Sequence, residues 1–143
     1  QKRSGVTKDD IEKHVQTLGL PEGTNVVFRS CPMAIAGIRE AKDIDLLVSQ
    51  EVFVLLRQRG WKELIKAEDD KPLVSGIFEA HQNWNFSPYS PTLAHLLAGA
   101  SIVDGIPFAS LEDVRKWKAA SGRPKDLHDV ELIEQYQQSI KNS

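Results

Sequence analysis

Residues 42–48 read Lys-Asp-Ile-Asp-Leu-Leu-Val and predict a buried strand that opens with two aspartates. Aspartate is depleted in strands, and a carboxylate beside apolar residues is unfavourable unless something pairs with it. Because side chains alternate along a strand, Asp43 and Asp45 are expected on one face, with Ile44 turned towards the core. A divalent cation stabilises two adjacent carboxylates, and oxygen-rich sites suit Mg²⁺ or Mn²⁺. The doublet alone leaves two interpretations open, a metal site and a solvated strand end.

A third carboxylate lies in a similar apolar setting. Glu79 falls within residues 76–80, Gly-Ile-Phe-Glu-Ala. If that strand lies beside residues 43–48, Glu79 joins the two aspartates, and three such carboxylates can hold two divalent cations roughly 3.5–4 Å apart. The alternative is a surface acid on an edge strand.

The pattern around these strands predicts an α+β fold, a small mixed β-sheet with helices packed on it and a helical C-terminal part. Apolar periodicity and capping residues indicate the order β-α-β-α-β-β, followed by a more helical second half. No linker or repeat divides the chain, so we expect one domain over residues 1–143, with a sheet core at 25–104 and C-terminal helices at 110–140. The individual predictions are helices at 7–18, 50–58, 91–97, 110–120 and from 126 onwards, one helical turn at 33–36, and strands at 25–28, 43–48, 61–65, 73–80 and 101–103.

The amino-acid composition indicates which class of protein this chain represents. The chain has 143 residues, 41% of them hydrophobic and 27% charged, which is typical of a globular domain with a real core. Its net charge of -2 argues against bulk binding to DNA or to a membrane surface. No apolar run approaches the roughly 20 residues of a membrane span. Cys31 is the single cysteine, which excludes an internal disulfide and favours a cytoplasmic setting.

Taken together, these stretches resemble the nucleotidyltransferase signature of the polymerase-beta superfamily. Residues 26–30, Val-Val-Phe-Arg-Ser, are followed after 12 residues by Asp-Ile-Asp-Leu at 43–46, and Glu79 matches the third carboxylate on a later strand. Residues 37–39, Gly-Ile-Arg, and the segment 122–129 also resemble small stand-alone members. Those members are related to antibiotic nucleotidyltransferases and to abortive-infection or toxin–antitoxin enzymes. The resemblance covers roughly residues 25–135.

The resemblance implies a metal-dependent enzyme. It would transfer a nucleoside monophosphate from a nucleoside triphosphate, with ATP as the expected substrate, to a hydroxyl acceptor and release pyrophosphate. Asp43, Asp45 and Glu79 would be the catalytic and metal-binding residues, with Mg²⁺ or Mn²⁺ as the cofactor, and Glu79 would favour deprotonation of the acceptor hydroxyl. The acceptor stays open between a small molecule, a tRNA and a protein.

Four residues are expected to contact the phosphates of the nucleotide. Ser30 is the serine that the signature retains, and Arg39 and Lys42 flank the acidic pair. Lys125 matches a helix start that packs towards the nucleotide in the family. For Arg39 and Lys42 a solvated loop cation is an equal alternative, and Asp126 is favoured as a helix N-cap.

One residue departs from the signature. Arg29 stands where the family has a glycine that lets the backbone approach the triphosphate closely. This motivates a second hypothesis, a binding or partner module of the same fold that no longer catalyses; a third, weaker one is a phosphohydrolase with the same carboxylates. His81 is a candidate for the edge of the site, and Trp84 for stacking on a base or acceptor.

Overall fold

A computed structural model describes residues 7–68, 70–82, 89 and 91–141 of the chain. These residues form a mixed α+β fold, with one seven-stranded sheet and six helices. The helices are α1 (Lys8–Leu18), α2 (Cys31–Ile35), α3 (Gln50–Gln58), α4 (Leu93–Ala98), α5 (Leu111–Ser121) and α6 (Pro124–Lys141). The strands are β1 (Asn25–Phe28), β2 (Ile44–Val48), β3 (Lys62–Glu63), β4 (Leu73–Ser75), β5 (Phe78–His81), β6 (Ser101–Val103) and β7 (Ile106–Phe108).

Local capping explains where most helices begin. Thr7 and Asp10 form a capping box at α1, in which each side chain accepts a hydrogen bond from the other residue's backbone N–H. The hydroxyls of Ser49, Thr92 and Ser110 accept from the third residue of α3, α4 and α5 in the same way. The expected N-cap at Asp126 is wrong, because α6 begins two residues earlier at Pro124. Proline suits a first helical turn, where its missing N–H removes no helical hydrogen bond.

The sheet has the order β3-β4-β5-β2-β1-β7-β6. β2 lies near its centre, antiparallel to β1 and parallel to β5. Its side chains alternate between two cores. Leu46 joins the core on which α1 and α3 pack, whereas Leu47 joins the core formed with α4, α5 and α6. Both faces of β2 are therefore buried, which explains its nearly continuous apolar sequence.

Two parts of the sheet differ from the sequence prediction. Residues 73–80 do not form one strand: Gly76, with a φ of 59°, makes a turn that separates β4 from β5. The strand β7 was not predicted. It pairs with β6 across a hairpin turn at Asp104 and Gly105, whose φ angles of 51° and 80° fit the type I′ geometry that Asp-Gly favours.

Among the described residues, none of the helices combines the length and the apolar composition that crossing a membrane would require.

Candidate metal and nucleotide site

Two of the predicted carboxylates meet across the parallel pair β2 and β5. The strand register places Asp45 directly beside Glu79. Both side chains are buried, with only 4% and 8% of the residue surface exposed. Their neighbours Ile44, Leu46, Phe78 and Ala80 belong to the core under α1 and α3, so the two acids lie on the opposite sheet face. The described residues thus contain a buried acidic pair on the face that the C-terminal helices cover.

His81 completes a cluster with these acids. It lies two residues after Glu79 on the same face of β5, and its Nε2–H donates to Glu79 Oε1 at 2.8 Å. Potential ligand atoms of Asp45, Glu79 and His81 all lie within 4.8 Å of one another. Two carboxylates and an imidazole at this spacing can hold a divalent cation.

Asp43 lies at the exposed edge of the same site. It precedes β2 and its side chain is exposed. Asp43 is close enough to Asp45 for its charge and a side-chain hydrogen bond to raise the pKa of Asp45, although burial has the larger effect. The structure therefore places Asp43 beside Asp45 on the solvent side, whereas the buried cluster consists of Asp45, Glu79 and His81.

Glu79 is held in its ionised form. Burial alone would raise its pKa, but the hydrogen bond from His81 and another from Lys66 Nζ to Glu79 Oε1, at 2.6 Å, lower it to about 2. Lys66 comes from the segment between β3 and β4. Glu79 is therefore a carboxylate at every pH at which the protein would work.

Asp45 has the opposite tendency. Burial raises its pKa to about 8, and the nearby charges of Asp43 and Glu79 contribute in the same direction, while Arg29 opposes them. Its buried Oδ1 accepts no hydrogen bond within the part of the chain that the structure describes. A buried carboxylate oxygen without a partner is unfavourable, and a bound cation would satisfy it. The donors present thus fit a divalent metal.

Arg29 brings a cation within 4 Å of both acids. Its Nη1 lies 3.9 Å from Asp45 Oδ1 and 3.7 Å from Glu79 Oε1. Its backbone has a φ of 64°, in the left-handed region where glycine is favoured. The residue that departs from the signature thus retains the backbone conformation of a glycine, and its side chain lies over the acidic pair.

A second polar cluster adjoins the first, at the end of β1. The hydroxyl oxygen of Ser30 accepts from Arg39 Nη2 at 2.9 Å and from Lys118 Nζ at 3.3 Å. Asp129 of α6 balances these cations, since it accepts two hydrogen bonds from Arg39, at 2.9 and 2.7 Å, and pairs with Lys118 at 2.9 Å. This arrangement gives Ser30 two cationic neighbours whose positions are fixed.

Burial and hydrogen bonds shift the pKa values of the charged groups in this cluster. Burial lowers the pKa of Lys118, although the hydrogen bond to Asp129 opposes the effect. The pKa of Asp129 is lowered by its hydrogen bonds from Arg39 and Lys118, which outweigh burial. Asp126 also lies within 3.7 Å of the Lys118 amine and accepts from Ser121 and Arg123. Asp126 therefore serves to fix the start of α6 against the end of α5.

The four predicted phosphate contacts separate into two groups. Ser30 and Arg39 lie together in the second cluster, whereas Lys42 and Lys125 are exposed side chains. Lys66 was not singled out in the sequence, because it lies in an irregular segment without a motif. From the sequence, Lys118 could be identified only as a basic residue on a predicted helix. Trp84 lies outside the described residues.

Comparisons with known proteins give a likeness of fold. No family model matches the chain, and no curated protein matches it. The crystal structure of ANT(2″)-Ia in complex with adenylyl-2″-tobramycin, an aminoglycoside nucleotidyltransferase, is similar, with a TM-score of 0.50 and 13% sequence identity. The match covers 92% of this chain and 93% of that one. The chain thus has a nucleotidyltransferase-like fold.

Proposed function

We propose that this protein is a metal-dependent nucleotidyltransferase, which transfers a nucleoside monophosphate from a nucleoside triphosphate to a hydroxyl acceptor and releases pyrophosphate. The observation that carries the proposal is the buried pair Asp45 and Glu79 on adjacent parallel strands, with Asp43 at its open edge. The likeness of fold to ANT(2″)-Ia, whose structure contains an adenylylated antibiotic, supports the same reaction class and ATP as the nucleotide.

The three carboxylates would hold Mg²⁺ or Mn²⁺. A divalent cation, when bound there, supplies Lewis acidity to the phosphates and to the attacking hydroxyl. Lys66 and His81 fix one oxygen of Glu79, so this carboxylate is oriented before substrate arrives. Because its pKa is about 2, Glu79 is ionised and its charge favours loss of the acceptor proton.

The second cluster would bind phosphate oxygens. Ser30, Arg39 and Lys118 present one hydroxyl and two cations at the end of β1, close to Arg29 and the acidic pair. Charge-assisted hydrogen bonds from such groups are the usual means of holding phosphates. Lys42 and Lys125, which are exposed, are proposed to contact the nucleotide only at its solvent side.

A cavity of about 250 Å³ offers room for part of the acceptor. Its lining includes Phe53, Asp70, Pro72 and His81. Since His81 also donates to Glu79, the cavity lies one side chain away from the proposed metal ligand. Both charged and apolar groups line it, so it does not discriminate between a small molecule, a tRNA end and a protein side chain.

Titration calorimetry with ATP and Mg²⁺ tests the proposal. We expect the wild type to bind the nucleotide only when Mg²⁺ is present, and Asp45→Asn to lose this metal-dependent binding because the buried carboxylate is removed. Glu131→Gln, which removes an exposed acid on α6, is the matched control and should bind like the wild type. Equal binding by the wild type and Asp45→Asn would contradict the proposal.

The alternative functions give different products in one assay. The shared fold does not favour the second hypothesis, a binding or partner module that has lost catalysis. Transfer of label from α-labelled ATP to any acceptor would exclude that hypothesis. A phosphohydrolase would release phosphate without labelling an acceptor. Pyrophosphate release that depends on the acceptor would identify the transferase.

A further inference from the structure

The side chain of Arg29 has a location that the proposed reaction does not explain. We propose that its guanidinium is a built-in cation of the acidic cluster, which lies beside Asp45 and Glu79 and supplies the positive charge that a second divalent cation would otherwise bring. The inference rests on the proposed function, because it concerns the same metal site. It states that the wild-type protein holds one divalent cation with its nucleotide, rather than two.

The contacts of Arg29 support a bridging role. A single nitrogen, Nη1, lies within 4 Å of both Asp45 Oδ1 and Glu79 Oε1. Mg²⁺ bound to both oxygens would lie about 2.0–2.1 Å from each, so the guanidinium would lie next to that metal and repel it. At 3.9 Å the guanidinium compensates the charge of Asp45 without forming a hydrogen bond, so Oδ1 keeps its lone pairs for one further cation.

The guanidinium is also held by packing. It lies over the ring of Trp117 at 5.2 Å and over that of Phe28 at 5.7 Å, distances typical of cation–π contacts. Its Nε is buried and has no hydrogen-bond partner among residues 7–68, 70–82, 89 and 91–141. The backbone of Arg29 is in the left-handed region, which disfavours any side chain. These unfavourable features indicate that the aromatic contacts and the two acids keep the cation in place.

The net charge of the acidic cluster also favours one bound divalent cation rather than two. In the ionised form that a metal would require, the three carboxylates face two protein cations, Arg29 and Lys66, which leaves one net negative charge. One divalent cation reverses that charge, and a second would add repulsion from both the first metal and Arg29. Removal of Arg29 leaves two uncompensated negative charges and an open position beside Asp45 and Glu79.

Counting bound Mn²⁺ tests the inference without measuring activity. Electron paramagnetic resonance measures free Mn²⁺ and would be recorded with a non-hydrolysable ATP analogue at saturating concentration, after subtraction of Mn²⁺ held by the analogue alone. We expect one protein-dependent Mn²⁺ in the wild type and two in Arg29→Gln. Arg29→Gly should also bind two, and glycine suits the left-handed backbone, so this variant carries the test if Arg29→Gln does not fold.

Two controls locate the additional ion. Arg59→Gln removes an arginine that donates to the Leu18 carbonyl outside the site, and it should bind one Mn²⁺ like the wild type. The double variant Arg29→Gln/Asp45→Asn should hold no protein-dependent Mn²⁺, because Asp45 is a proposed ligand of both ions.

The possible failures are distinguishable. Two Mn²⁺ ions in the wild type, or one ion in the wild type and also in both Arg29 variants, would overturn the inference and leave the transferase proposal intact. Absence of bound Mn²⁺ from the wild type and from both variants would overturn the proposed function together with the inference.

Discussion

At the scale of single residues, the two buried acids have opposite protonation tendencies. Glu79 accepts hydrogen bonds from Lys66 and His81, and its pKa falls to about 2. The Oδ1 atom of Asp45, one strand away, accepts no hydrogen bond among the described residues, and burial raises the pKa of Asp45 to about 8. Environments that separate the pKa values of neighbouring carboxyl groups are typical of active sites, where one group must stay charged while another gains or loses a proton.

The raised pKa of Asp45 makes stability depend on pH. Between the unfolded value of about 3.8 and the folded value of about 8, the folded protein binds more protons than the unfolded chain. The free energy of unfolding therefore falls as pH rises through this range. Asp45→Asn removes the ionisable group, so the variant should gain stability relative to wild type at pH 8, by more than about 1 kcal/mol.

Urea unfolding of both proteins at pH 5 and pH 8, without divalent cations, measures this effect. The variant's advantage should be smaller at pH 5, where Asp45 of the folded wild type is protonated. Asp9→Asn, on the exposed face of α1, is the control and should show no such trend. If the difference in free energy of unfolding between Asp45→Asn and the wild type were equal at both pH values, the raised pKa of Asp45 would be contradicted.

At the scale of elements, the helices α5 and α6 join the sheet through charged groups rather than through apolar contacts alone. Lys118 of α5 is 3% exposed and is compensated by Asp126 and Asp129 of α6, while Arg39 links Asp129 to the end of β1. Removing one member of such a buried network is strongly destabilising, because another charge is left without a partner. The helical half is thereby fixed in register beside the acidic pair.

The hairpin between β6 and β7 depends on the conformation of Gly105. Its φ of 80° is unfavourable for any residue with a Cβ atom. Gly105→Ala should destabilise the protein by about 1–2 kcal/mol, through backbone strain, since nothing lies within 4 Å of an added Cβ. In thermal denaturation this corresponds to a decrease in Tm of roughly 2–8 °C.

Gly99→Ala is the matched control for that substitution. Gly99, at the end of α4, has a φ of -98°, and an added Cβ would meet Asp113 Oδ2 at an ordinary 3.6 Å. This variant should unfold within about 1 °C of the wild type or slightly above it. If both alanine variants lost the same stability, the argument from backbone conformation would be wrong.

The helices and strands that could be predicted from the sequence are those determined by residues within or next to the element itself. Thr7, Ser49 and Ser110 cap their own helices, and the alternation around Ile44 follows from one strand alone. The Asp104-Gly105 turn also had a local signal, but β6 and β7 are too short for periodicity to reveal both strands. In residues 73–80 the apolar run concealed the turn at Gly76.

Only those residues of the candidate site that belong to a sequence motif could be predicted. Asp43, Asp45, Glu79 and Ser30 belong to a recognisable pattern, but the register that places Asp45 beside Glu79 is a long-range property of the sheet. Lys66 reaches Glu79 from an irregular segment, and Lys118 meets Asp129 only because α5 and α6 pack together. No local periodicity encodes those contacts, so they could not be derived from spacing.

At the scale of the whole molecule, the site lies where the sheet meets the helical half. Arg29 and Ser30 directly follow β1, whose last residue pairs with Asp45 of β2, and α5 and α6 approach from the same face. Ligand binding at this junction should therefore stabilise the entire fold, because unfolding of either part would destroy the site.

This linkage predicts a thermal shift. At 100 times its dissociation constant, a ligand specific for the folded protein adds about 2.7 kcal/mol to the free energy of unfolding. For a chain of 143 residues, ATP with Mg²⁺ should raise the Tm by roughly 5–10 °C. Differential scanning calorimetry of the wild type, with Asp45→Asn as the variant that should not respond, measures the shift. Stabilisation of both proteins to the same extent would place the ligand elsewhere.

Cys31 gives the molecule an internal reporter of opening. Its thiol is 1% exposed and donates to the backbone carbonyl of Asp43 at 3.3 Å, and burial raises its pKa far above that of a free thiol. Because the thiolate is the reactive form, a thiol reagent can modify this residue only when the core under α1 and α3, in which Cys31 is buried, opens locally. The rate of modification thus records how often this part of the fold opens, and a ligand that stabilises the folded protein against such opening would slow it.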